Sequence, residues 1–162
     1  MQNKKCCFTG HRNIKITHAL KGRLWETLCR LVEEYNVTDF YAGGAVGFDM
    51  LCEKAVLALK KQYPEVRLHL ILPCPPQKQS GKWNDGQKRL FADICEKADS
   101  CSILSNEYYQ GCMKKRNEEL VKNADCCVCY YNDEDPRSGT GQTVRMCKKR
   151  GIDIINIFSA FE

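Results

Sequence analysis

Hydrophobic positions follow two alternating rhythms from one end of the chain to the other. Short apolar runs at residues 5–9, 37–41, 66–72, 100–104, 126–131 and 152–157 have the length of buried strands. Between them, apolar residues recur every three or four positions, which predicts amphipathic helices. Leu20, Leu24, Leu28, Leu31 and Tyr35 mark the first, and Phe48, Leu51, Cys52, Ala55 and Leu59 the second. Leu90, Phe91, Ile94 and Ala98 mark a third, and Met113, Asn117, Leu120, Val121 and Ala124 a fourth. Thr143, Val144 and Cys147 belong to a last one. The segment from Pro73 through Gln79, Ser80, Gly81 and Trp83 reads as a polar loop.

Strictly alternating strands and helices predict an α/β fold: a Rossmann-like, three-layer, doubly wound sheet, mostly parallel, with helices on both faces. Right-handed crossovers gather the strand-to-helix loops at one edge of the sheet, where such folds hold ligands. The loops after the first and fifth strands must face one site, so those two strands are expected side by side at the centre. A length of 162 residues suits one domain, 1–162, in which roughly two thirds of the unfolded chain's surface is buried without staples.

Composition narrows the class. The chain is 43% hydrophobic and 28% charged, and no apolar run approaches the ~20 residues that span a bilayer. The first ten residues turn polar too soon for a secretory signal, so a cytoplasmic location with no membrane partner is expected. Twelve cysteines are unusual, but most sit inside apolar runs, where a reduced thiol packs as a small hydrophobe. Cys126 and Cys129 have C-x-x-C spacing within a strand; three apart, they point to opposite faces and cannot share a metal or a disulfide. All twelve are expected reduced and without metal. The 25 basic and 20 acidic residues leave +5. The clusters Lys114-Lys115-Arg116 and Lys148-Lys149-Arg150 read as solvated helix faces, and this charge is too small to imply nucleic acid.

Four loops carry candidate chemistry. In the first, Gly10 allows a tight turn after a strand, His11 is a hydrogen-bond or proton carrier, and Arg12 offers a planar fork to a phosphate. The second has Gly43, Gly44 and Gly47 between a strand and a helix, where free amides and the helix dipole attract anions. Its spacing is neither G-x-G-x-x-G nor a Walker loop. Asp49, in the first helical turn, suits either a cap or a ribose hydroxyl. In the third, Asn117 lies on the apolar stripe and needs partners, and Arg116 either reaches the crevice or faces solvent. The fourth, Ser138, Gly139, Thr140, Gly141 and Thr143, repeats the logic of the second. The two are expected to clamp an anion from both sides, with Arg12 or Arg116 supplying positive charge. A bulky residue at Gly44 is then expected to block the anion and spare the fold.

These residues also have a familial look. Cys7-Phe8-Thr9-Gly10-His11-Arg12, Tyr41-Ala42-Gly43-Gly44-Ala45 with Gly47-Phe48-Asp49, Ile71-Leu72-Pro73-Cys74, Gly111-Cys112-Met113 with Arg116-Asn117, and Gly139-Thr140 with Thr143-Val144-Arg145 resemble the YpsA-like branch of the SLOG superfamily, from about Cys6 to Ile157. The resemblance implies a Rossmann-like fold related to the Lonely Guy phosphoribohydrolases and the DprA DNA-processing proteins. It also implies a bacterial protein and a nucleotide-derived ligand such as ADP-ribose or NAD, with no other cofactor required. Against the P-G-G-x-G-T-x-x-E motif of the Lonely Guy enzymes, the first glycine becomes Ser138 and the glutamate becomes Arg145. A guanidinium repels the oxocarbenium ion that a carboxylate stabilises. Arg116 matches the arginine of those enzymes' other motif.

The expected function is therefore binding or sensing of a phosphate-bearing nucleotide derivative. The first alternative is a nucleotide N-glycosidic hydrolase, with Asp49 in place of the missing glutamate. The second is a DprA-like DNA-processing accessory. A homo-oligomer is compatible with each.

Overall fold

A computed structural model describes residues 2–161. Six strands form one sheet: β1 (Lys4–Gly10), β2 (Val37–Ala42), β3 (Arg67–Leu72), β4 (Ser100–Ile103), β5 (Cys126–Tyr130) and β6 (Asp153–Asn156). Their order is β4-β3-β2-β1-β5-β6, and all five neighbouring pairs are parallel. The expected adjacency of the first and fifth strands is present: Cys7 pairs with Cys127 and Gly10 with Tyr130.

The helices are α1 (His18–Tyr35), α2 (Phe48–Gln62), α3 (Pro76–Gln79), α4 (Asp85–Lys97), α5 (Cys112–Lys122) and α6 (Gly139–Arg150). In α1, Thr17 caps the start by accepting from the Leu20 amide at 3.0 Å, and Asn36 ends the helix in the left-handed region. The expected stripe Leu20, Leu24, Leu28 and Leu31 is the buried face. Each such leucine contributes about 1.5–3 kcal/mol of burial. The polar loop after β3 contains the short helix α3, which its periodicity did not reveal, and α4 starts on an Asn84–Gln87 capping box.

Strand alternation divides the core into two layers. Cys6, Phe8, Cys126 and Val128 face α1, α2 and α4, whereas Cys7, Cys127 and Cys129 face α5 and α6. Cys126 and Cys129 accordingly lie in different layers, as the spacing required. All twelve cysteines are free. A view along one strand missed an approach between neighbouring elements: the sulfurs of Cys7, Cys127 and Cys147 lie within 4.8 Å of one another in the α5–α6 layer. Hydrogen bonds from the Cys127 and Cys7 thiols draw Cys147 down to about 4.

The connection from β4 to β5 carries the chain back over the sheet to the far side of β1. The strand order therefore reverses between β1 and β5, and a crevice opens at their carboxyl ends. Among the described residues, no helix is long and apolar enough to cross a membrane.

Candidate functional site

The crevice is a hollow of about 380 Å³ bounded by the loop after β1, the start of α2, the first turns of α5 and the start of α6. It brings together most of the residues singled out in the sequence. Gly10, His11, Arg12, Asp49, Arg116, Asn117, Ser138, Gly139 and Thr140 all line it. Gly43, Gly44, Gly47, Gly141 and Thr143 do not.

The loop after β1 is tied at both sides. The His11 amide donates to Tyr130 O at 3.3 Å, and His11 O accepts from the Phe48 amide at 3.2 Å. His11 Nε2 accepts from the Asn132 amide at 3.2 Å, which places the proton of the neutral ring on Nδ1. Gly10 is required because a Cβ there would lie 2.4 Å from the Phe48 ring. Arg12 is exposed and makes no hydrogen bond or ion pair with the described residues.

The loop after β2 is closed rather than open. A Cβ on Gly43 would meet the Arg116 guanidinium at 2.3 Å. Gly44 has φ +72°, and its Cβ would fall 2.7 Å from Leu72 Cδ2 and 2.8 Å from Phe91 Cε1. Gly47, at φ +83°, lies against the backbone of Arg12. These glycines serve packing, and the Gly44 expectation is corrected: its missing side chain faces the core. The amides also point inward. Asp49 Oδ2 accepts from the Ala45 amide at 3.3 Å, so Asp49 is a cap for this loop. Gln79, from α3, donates to Gly43 O and Gly44 O at 3.3 Å each.

A buried polar cluster underlies that loop. Arg116 is 5% exposed, not solvated; Nε donates to Asn117 Oδ1 at 2.8 Å and Nη1 to Gly43 O. Burial pushes Asp49 above the usual carboxylate range, opposed by the Arg116 charge and the Ala45 amide. Burial also lowers Arg116, and the Asp49 charge counters this. One turn along α2, Glu53 is fully buried, and neither carboxyl oxygen has a partner in hydrogen-bond geometry. Desolvation drives Glu53 well above the glutamate range, Asp49 adds to the rise, and the nearby Gly44 amide opposes it. Burial thus shifts the balance toward the neutral acid. Sequence reasoning missed Glu53 and Gln79. For Glu53 the i, i+4 spacing from Asp49 was the available signal, and Gln79 gave none because its loop showed no helical period.

The loop after β5 is built differently. Asn132 and Asp135 stabilise turns by accepting from the Glu134 and Arg137 amides. Ser138 caps α6, its hydroxyl oxygen accepting from Gly141 N at 3.0 Å. Gly141 packs on the Pro136 backbone, and Thr143 is buried with its hydroxyl donated to Gly139 O at 2.8 Å. Both therefore shape the loop and leave the ligand surface to others. Gly139 is exposed, with nothing nearer its absent Cβ than Asn117 Nδ2 at 3.9 Å. The Gly139 and Thr140 amides make no hydrogen bond with the described residues, as at any helix start whose first N–H groups lack intrahelical partners. Arg145, at the position of the enzymes' glutamate, lies outside the hollow and donates to Pro136 O.

A family model described as the YspA SLOG family matches residues 6–158. The chain belongs to the YspA SLOG family. Its relatives include the UPF0398 protein BH1768 of Halalkalibacterium halodurans, 27% identical over 142 residues, covering 86% of this chain and 72% of the relative. The SPbeta prophage-derived protein YoqJ of Bacillus subtilis is 26% identical over 142 residues, with 80% and 81% covered. Among solved structures, DNA processing protein A from Helicobacter pylori, described by its single-stranded DNA binding mode, superposes with a TM-score of 0.62 at 19% identity. That match covers 93% of this chain and 63% of the other. TM1055 gives a TM-score of 0.55 at 14% identity, covering 93% and 72%. These likenesses show the Rossmann-like SLOG fold.

Proposed function

We infer that the crevice binds a phosphate-bearing nucleotide derivative of the ADP-ribose or NAD class. The observation that carries this reading is the open start of α6. The Gly139 and Thr140 amides, the positive end of the helix dipole and the unpaired Arg12 guanidinium border one hollow at the strand-order reversal. A phosphate there gains charge-assisted hydrogen bonds of about 1.5–3 kcal/mol each. The His11 ring and the Asn117 amide are placed for the organic part of the ligand. Arg116 is already committed to Gly43 O and Asn117, so Arg12 takes the phosphate and Arg116 fixes the floor.

Calorimetry with ADP-ribose, AMP and adenosine tests this. Binding of the phosphorylated ligands and a loss of at least tenfold for adenosine are expected; equal affinities for all three refute the phosphate site.

Asp49 favours a second reading, cleavage of a nucleotide N-glycosidic bond, because it is a carboxylate lining the same hollow. Its commitment to the Ala45 amide weighs against this. Release of free adenine from AMP, followed by chromatography and lost in Asp49→Asn, would establish hydrolysis.

A further inference from the structure

Away from the crevice, the neighbouring strands β2, β3 and β4 carry Asp39, His69 and Ser100 in a hydrogen-bonded row. His69 Nε2 lies 2.7 Å from Asp39 Oδ1, and His69 Nδ1 lies 2.6 Å from Ser100 Oγ. Register produces the row: His69 is the direct partner of Ser100, and Asp39 pairs two residues earlier with Arg67. The imidazole is held in place. Tyr41 stacks on it at 4.6 Å and 24° between planes, and Asp39 is itself held by the Thr38 hydroxyl at 2.8 Å.

The proton positions follow from the partners. An ionised carboxylate accepts only, so the hydrogen bond to Asp39 needs the ring proton on Nε2. Nδ1 then presents a lone pair to the Ser100 hydroxyl, which is the polarity of a general base facing a nucleophile. Ser100 is exposed on the edge strand. The row opens into a hollow of about 270 Å³, lined by His69 and Ser100, by the apolar side chains of Ile71, Leu104 and Leu120, and by the polar Ser102 and Glu119. The Ser100 amide and the Asn123 side chain are the candidate donors for a developing oxyanion. The Asp99 amide points at Leu68 O, 2.8 Å away, so strand alternation turns the Ser100 amide outward from the edge. Asn123 lines the same hollow, and its side chain makes no hydrogen bond with the described residues.

We propose that Asp39, His69 and Ser100 form a second reactive site, a serine nucleophile that accepts short aliphatic acyl groups from activated oxygen esters. Ser100 Oγ bonds to the carbonyl carbon as its proton passes to His69 Nδ1. The tetrahedral adduct collapses, the bond to the alcohol oxygen breaks, and that oxygen takes the proton from His69. Water then attacks the acyl-Ser100 by the same exchange, releasing the carboxylic acid and restoring the hydroxyl. Ester and water thus give acid and alcohol. The small size of the hollow and its Ile71, Leu104 and Leu120 side chains set the preference for a short aliphatic chain. Asp39 acts through His69 and is a positioning residue.

The test uses the full chain with an alkyl fluorophosphonate, followed by intact mass and peptide mapping, with p-nitrophenyl acetate hydrolysis measured in parallel. One adduct, formed with loss of fluoride and mapped to Ser100, is expected. Ser100→Ala should abolish it while circular dichroism is unchanged, since the side chain is exposed. His69→Gln should slow labelling and hydrolysis by about 100-fold, at the low end of general-base effects. Asp39→Asn should lower kcat by at least about tenfold with KM unchanged, an outcome that a merely structural role would not produce. An unlabelled Ser100 after prolonged exposure overturns the proposal, as does a loss below tenfold in His69→Gln.

Discussion

Two glycine-rich turns face the same crevice, and they do opposite things. In the turn after β2, three glycines make room for Arg116, for Leu72 and Phe91, and for the backbone of Arg12, and the Ala45 amide is spent on Asp49. In the first turn of α6, Gly141 packs on Pro136, but Gly139 stands open and the first helical amides are unclaimed. A strand–glycine–helix pattern therefore signals close approach of backbone to something. That partner is protein at the first turn and open space at the second. The local pattern is shared; the neighbours brought in from α4 and α5 differ.

Substitution at the closed turn should cost the most. Gly44→Leu combines a left-handed backbone with overlap on Leu72 and Phe91, and is expected to destabilise by about 3–5 kcal/mol in urea unfolding. A change under about 1 kcal/mol would mean that the turn is as open as its counterpart. Next comes Arg116→Ala, which removes the guanidinium beside the buried Asp49. A loss of about 3 kcal/mol is expected, because a buried charge loses its partner. If stability is unchanged and only ligand affinity falls, Arg116 is a ligand contact rather than part of the floor.

Glu53 gives the comparison a pH dependence. Its folded pKa is raised, so the folded state binds more protons than the unfolded one above the unfolded value of roughly 4.3. The stability it contributes is complete below that pH and is lost as pH rises through the folded pKa. Glu53→Gln should flatten this decline and stabilise the protein at pH 7.5 by about 1 kcal/mol, with little change near pH 4. Asp49, shifted in the same direction, retains part of the slope. Unfolding curves measured across this range decide it; identical slopes in the two proteins would show that Glu53 ionises freely.

The open turn should show the smallest effects on folding. Arg12→Ala and Gly139→Ala should each leave stability within about 0.5 kcal/mol, since both sites are exposed. Each should weaken ADP-ribose by at least about tenfold, or 1.4 kcal/mol, in calorimetry. Undiminished affinity in both variants would move the anion away from α6.

What the sequence determined by itself is the repeated burial requirement of each segment. Short apolar runs and period-3.6 stripes define six strands and the long helices. Their alternation leaves a parallel, two-faced sheet as the economical way to bury both, with β1 beside β5. The same alternation separated Cys126 from Cys129 correctly. Spacing along one segment carries no information about which side chain another segment delivers. The tertiary structure decided that Arg116 lies under Gly43 and that Glu53 is buried one turn below Asp49. It also decided that Gln79 reaches across from α3 and that Cys7, Cys127 and Cys147 converge. The contacts of Arg116, Gln79 and the three cysteines join residues 20–140 positions apart, and each, like the burial of Glu53, depends on how helices dock on the sheet. That docking is fixed by packing of the whole core, so no local pattern could encode it.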